Sequence, residues 1–294
     1  MRLGLLAPAL LVSLLGLALP EPRWGEHGHR LIGHAATAAL PEAMPVFFRD
    51  ATEHLAYLNP EPDRWRDWVE RGFDPALNAA RAPEHYVDLE LVPPGALDAP
   101  DRLAFVDSLF VHGERPSTVG LLPYQMLELT QQLRVGFRLW RASESEAERA
   151  WIEARILNDA GILGHYVADA SNPHHTTIHF NGWVGDNPRG FTTERGFHGR
   201  FESTYVQARI TLPQVEAALV EPPQSFGKLR PAIWSYIDDS HRLVERLYEL
   251  DLAEPFGPET TGAAHERFTV GRLAAGATML RDLWWTAWVS SAAP

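Results

Sequence analysis

Two imidazole–carboxylate pairs at helical spacing constrain this chain more than any other feature. His165 and Asp169 stand four apart in the run His165-Tyr-Val-Ala-Asp169-Ala-Ser-Asn-Pro-His-His175, and His198 and Glu202 repeat the interval. Residues four apart on a helix project from one face, one turn from each other. With His175 between the pairs, five donors fall within 38 residues. A histidine taken singly is most often a surface or hydrogen-bonded residue; the joint pattern is what points to bound metal. Imidazole and carboxylate without thiolate suit zinc and, less selectively, manganese or iron. A di-iron bundle would need Glu-x-x-His pairs and several inward glutamates, a pattern not found here.

The chain has 294 residues and no cysteine, so no disulfide can staple it and bound metal becomes the more plausible staple. Residues 1–20 carry one basic side chain, Arg2, followed by a nearly unbroken apolar stretch over 3–19. This is the pattern of a secretory signal peptide, and the run falls short of the ~20 residues that span a bilayer. Residues 1–23 are therefore read as a signal peptide with a short pro-segment, and 24–294 as one domain, exported to the periplasm or beyond the cell. Removing 1–23 takes away Arg2, Glu21 and Arg23 and leaves 24 basic against 37 acidic side chains. Such a balance makes a poor binder of duplex DNA, which would require a basic stripe. It does not exclude small phosphoesters, because bound divalent cations can invert the local field of an acidic protein.

Apolar periodicity with stop and cap signals predicts helices over 30–40, 45–57, 101–110, 122–141, 145–170, 197–208, 213–219, 229–250 and 266–289. A turn is expected at 60–63, and 181–196, rich in Gly, Pro, Asn and Thr, reads as a long loop of the kind that contacts substrates. Ser145 is placed to cap the longest internal helix, and Asn172-Pro173 to stop it. Leu127, Leu129, Leu133, Phe137 and Leu139 are core candidates, and Tyr124, Trp140, Trp284, Trp285 and Trp288 are read as core in preference to a membrane-facing surface. The class expected is all-α.

Further donors occur in Trp24-Gly-Glu-His-Gly-His29 and Glu84-His85-Tyr-Val-Asp88. Together with Pro62-Asp63-Arg-Trp, His165-x3-Asp169-x5-His175-Thr-Thr and His198-x3-Glu202, these motifs resemble, in order, those of the zinc-dependent phospholipases C and the related zinc-dependent single-strand nucleases. The resemblance spans about 24–205. It implies a single-domain, multi-helix fold with a metal cluster in a cleft and three zinc ions. Asp63, His85, His165 and Asp169 would hold one; His175, His198 and Glu202 a second; His29, Asp169 and the backbone nitrogen and oxygen of Trp24 a third. Asp169 would bridge two ions, as a carboxylate can and an imidazole cannot. Two assignments stay open: Asp67 lies one helical turn after Asp63, and His174 adjoins His175, with spacing from Asp169 favouring His175 and leaving His174 to a supporting or surface place. The third ion also depends on Trp24 becoming the mature amino terminus, whereas Gly16-Leu17-Ala18 favours cleavage several residues earlier.

The chemistry implied is hydrolysis of a phosphodiester by metal-activated hydroxide, with Asp63 orienting or deprotonating the nucleophile and Asp169 as the second catalytic carboxylate. Glu202 closing the second group, the Thr-Thr after His175 and the acidic balance lean toward a phospholipase C-like monomer making transient membrane-surface contact. The alternative is a single-strand nuclease or 3′-nucleotidase, for which Phe180, Trp183, Phe191 and Phe197 could offer a stacking platform. A non-catalytic zinc-binding protein is the rival from another class. Structural zinc sites are usually closed and cysteine-rich, which argues against it.

Overall fold

A computed structural model describes residues 25–292. The expected signal peptide, 1–23, and the expected ligand Trp24 lie outside the described residues. The fold is all-α: helices and turns dominate, and among the described residues only two isolated bridges, Val87 with Gly120 and Phe180 with Gly182, interrupt them. No helix among them is long and apolar enough to cross a membrane.

The central element is the helix Glu146–Ser171. Ser145 accepts the backbone N–H of Glu148, and Glu146 and Glu148 lie in the first turn, where they favour the helix dipole. Its second half, from Ala160 to Ser171, is buried without interruption. Around it pack Leu122–Ala142, the amino-terminal helix Gly25–Ala38, the short helix Thr52–Leu58 and the carboxy-terminal helix Ala263–Ser290. Such an all-round buried helix needs neighbours on every side, which is why its apolar pattern is not a single stripe.

Two glycines set how closely the short helix approaches. A Cβ at Gly161 would stand 2.4 Å from Leu58 Cβ, and one at Gly164 would stand 2.3 Å from Asn59 Nδ2. The side chains of Leu58 and Asn59 rest directly on the backbone of the central helix because no side chain of its own intervenes. This contact brings residues 59–63 against the end of the central helix, where His165 and Asp169 emerge.

Several expected boundaries shift. Residues 45–57 form two helices, Val46–Arg49 and Thr52–Leu58, with Asp50 and Ala51 between them. The expected turn at 60–63 is one helical turn, Glu61–Arg64, with Pro62 where a missing N–H is tolerated. Residues 229–250 divide into Leu229–His241 and Val244–Ala253; hydrogen bonding changes to i→i−3 at Leu243, with no glycine or proline to mark it. Trp68–Phe73 and Pro75–Arg81 are helices that the periodicity did not indicate, since neither buries a residue and so neither carries an apolar stripe directed at a core. Leu139 is 42% exposed, whereas Leu129, Leu133 and Phe137 are buried and Leu127 packs against them. Trp284 is buried, and Trp140, Trp285 and Trp288 pack on the core beside Phe137 and Phe48.

Gly161→Ala tests the close approach. Helix propensity alone would make alanine more stable by about 1 kcal/mol. The overlap with Leu58 is expected to reverse that sign and destabilise the fold by about 1–3 kcal/mol in denaturant unfolding. A more stable variant would show that the contact is looser than described.

Candidate metal centre

Seven of the expected donors converge on the end of the central helix, and an eighth, Asp63, stands at the rim. His165 and Asp169 sit one turn apart there, with Asp169 Oδ2 3.2 Å from His165 Nε2 and 3.1 Å from His85 Nδ1. The other oxygen, Oδ1, faces elsewhere: it lies 3.6 Å from His29 Nε2 and 3.8 Å from His175 Nδ1. The two oxygens of one carboxylate thus address two sets of imidazoles. Asp63 Oδ1 lies 3.9 Å from His85 Nδ1 and joins His29 and His165 in a compact group of donors.

A second cluster forms where His175 meets His198 and Glu202. His198 Nε2 is 2.8 Å and His175 Nε2 3.5 Å from Glu202 Oε2, and the two nitrogens are 3.2 Å apart. The i, i+4 pair expected on an α-helix sits at a local widening. Phe197–Gly199 is α-helical, Arg200–Tyr205 is a π-helical turn, and Val206–Arg209 returns to α. Such single turns concentrate at functional sites because the wider ring re-aims side chains.

The second bond of each imidazole settles which nitrogen is presented. His165 Nδ1 donates to the main-chain oxygen of Asn59 at 3.0 Å, and His175 Nδ1 donates to the main-chain oxygen of His85. A carbonyl oxygen only accepts, so in both rings Nε2 faces the cluster. His29 Nδ1 donates to Asn59 Oδ1 at 3.1 Å, leaving a buried Nε2 with no hydrogen-bond partner. Asn172 Nδ2 donates to Glu202 Oε2, and Val87 N donates to His175 O, which ties the 85–87 segment to the loop after the central helix. These are the outer contacts by which metal ligands are commonly oriented.

The donor geometry fits divalent metal. Two ligands about 2.0–2.1 Å from a tetrahedral zinc stand roughly 3.3 Å apart, and the separations among these donors run from 2.8 to 3.9 Å. Bare imidazole nitrogens and carboxylate oxygens turned on one point repel unless a proton or a cation lies between them. The orphaned Nε2 of His29 is the clearest sign of that need. Three donor groups could hold ions: His29–Asp63–His165, His85–His165–Asp169 and His175–His198–Glu202.

Electrostatics follow from burial. Burial works against ionisation of Asp169, yet the imidazoles of His165 and His175 and the hydrogen bond from His85 overcome it, and its carboxyl titrates well below the usual range. Burial pushes His29 and His85 down to about 4, so both are neutral at pH 7. His175 is different. Burial would lower it as well, but Asp169 and Glu202 raise it to about 9.

The two open pairs of candidates part in the structure. Asp67 caps Trp68–Phe73, accepting from Val69 N and Glu70 N, and joins no donor group. His175 joins the cluster, whereas His174, whose place was expected to be supporting or superficial, is buried among Phe197, Phe201 and Tyr248 with both ring nitrogens unpartnered. Of the proposed aromatic platform, Phe191 and Phe197 are buried, Trp183 stacks on His179, and Phe180 alone is exposed, with its ring 6.5 Å from that of His198. Sequence reading missed Asn59 and Asn172. The chain marks Asn172 only as a helix stop and Asn59 not at all, because neither makes a spaced pattern with the donors.

A metal entering the second group must displace the proton on His175. At pH 7, below the raised value of about 9, that proton is present, and a coordinated Nε2 cannot keep it. Zinc binding is therefore expected to release about one proton per molecule, read as a dependence of calorimetric heat on buffer ionisation enthalpy, and the release should fade above pH 9. Binding heats independent of buffer at pH 7 would contradict this.

No model of a known protein family matches the chain, and no curated protein matches it either.

Proposed function

We propose that this protein is an exported zinc-dependent phosphodiester hydrolase of the phospholipase C-like kind. The observation that carries the reading is the split address of Asp169, whose Oδ2 faces His85 and His165 while Oδ1 faces His29. That is how a bridging carboxylate serves two ions. Zinc bound in such a centre supplies Lewis acidity toward a phosphoryl oxygen and lowers the pKa of water enough for attack at neutral pH.

The chain's own groups divide the remaining work. Asp169 is 2% exposed and shut off from water, which suits a ligand. The Asp63 side chain is 19% exposed, so its carboxylate can orient an attacking water and take its proton at Oδ1. His198, with a side chain 20% exposed, leaves the second group open on one side. Open positions favour catalysis over a closed structural site, and so weigh against a non-catalytic zinc protein.

The surface beyond Asp63 favours a lipid. The chain continues into Trp68–Phe73 and Pro75–Arg81, which display Trp68, Phe73 and Leu77 to solvent at 75%, 81% and 61% exposure. Trp65, Phe73 and Leu77 line an open groove of about 420 Å³ together with Arg64 and Arg81 and the carboxylates of Glu61, Glu70 and Asp74. Aromatic and apolar side chains with arginines suit the lipid–water boundary. Exposed Phe180 near His198 supports the second reading, a nuclease acting on single strands, since one base could stack there.

Purified mature protein, assayed in parallel on phosphatidylcholine and single-stranded DNA with metal content measured, decides between them. Release of diacylglycerol is expected, and Asp169→Asn should lower it by more than the 10–100-fold typical of outer contacts to a metal. Asp63→Asn is expected to lower turnover far more than it lowers zinc content. Nucleotide release instead would promote the nuclease, and bound zinc with neither activity would sink both.

A further inference from the structure

Asn59 closes the helix Thr52–Leu58 and is completely buried. It presents two oxygens to two histidines that come from different helices. Its side-chain Oδ1 accepts from His29 Nδ1 at 3.1 Å, and its main-chain oxygen accepts from His165 Nδ1 at 3.0 Å. The two rings lie stacked, with centroids 4.2 Å apart and planes within 11°. Both therefore turn Nε2 toward the same carboxylate, His29 toward Asp169 Oδ1 and His165 toward Asp169 Oδ2.

The space for this residue is built into the central helix. A Cβ at Gly164 would stand 2.3 Å from Asn59 Nδ2, so any larger residue there would expel the amide. Nδ2 itself is buried without a partner. An unsatisfied buried donor destabilises a fold, and a hydrophobic residue of similar size would avoid that penalty. What only an amide or carboxyl oxygen can do here is fix the proton of His29 on Nδ1.

We propose that Asn59 is a positioning residue shared by two ligand groups, setting the tautomers of His29 and His165 through its two oxygens. Its side chain governs the affinity of the ion held by His29, while its main chain serves His165 whatever the side chain is. This rests on the metal-binding part of the reading above and not on the substrate.

Asn59→Ala separates the two roles, because it removes Oδ1 and keeps the carbonyl. In the full mature chain, zinc titration against a chromophoric chelator is expected to show one ion weakened by about 10–100-fold and the others unchanged. Long-range ¹H–¹⁵N spectra of the metal-free protein should show His29 leaving the Nδ1–H tautomer while His165 keeps it. Asn59→Asp keeps an acceptor oxygen in the same place and should restore both readouts. Unchanged affinity and tautomer in Asn59→Ala would overturn the proposal, as would a wild-type protein that binds no zinc. If Asn59→Ala fails to fold, the decision passes to Asn59→Asp: retention of the His29 tautomer and ion supports the proposal, and their loss overturns it. Neither readout uses turnover, so a wild-type protein that binds zinc and cleaves no phosphodiester would refute the proposed function and leave this inference standing.

Discussion

A carboxylate buried at the end of the central helix is the constraint on which the rest of this structure depends. Asp169 has almost no access to water, and an ionised carboxylate in that position must be compensated by its neighbours. Beside His165 on its own helix, imidazoles from two other segments supply that compensation: His175 from the turn that follows and His85 from a short turn. Each must be brought within 4 Å by packing elsewhere. The arrangement of helices can be understood as the scaffold that satisfies this one group.

Close approach of two helices is how the scaffold does so. Gly161 and Gly164 let the short helix Thr52–Leu58 rest directly on the central helix, and the chain leaving it delivers first Asn59 and then Asp63 to the cluster. On the other side, Asn172 stops the central helix, starts the turn that carries His175, and donates to Glu202. The residues that end these helices are thus also the ones that orient the ligands. Stability and site geometry share the same atoms here, so substitutions meant to probe one will register in the other.

Legibility in the sequence varied with the range of the interaction. His165 with Asp169, and His198 with Glu202, were readable because a helix makes four-apart residues neighbours, and that neighbourhood survives even where the second pair sits on a π-helical turn. Ser145 as a cap and the all-α class were readable for the same local reason. The choice between Asp63 and Asp67 was not. Both fit the spacing, and only the structure shows Asp67 spending its oxygen on two backbone N–H groups. The break at Leu243 lacked any local signal, and Leu139 looked like core because its periodicity is correct, yet 42% of it stays exposed.

By itself, then, the sequence determined the donor types, their pairing within segments and the helical class, since each of these depends on residues within a turn or two of one another. Tertiary structure alone decided which groups share a point in space: that the two oxygens of Asp169 face different histidines, that Asn59 serves two rings at once, and that His174 is buried among aromatics while its neighbour joins the cluster. These depend on how helices distant in the chain pack, and side-chain spacing along one segment carries no information about where another segment will lie.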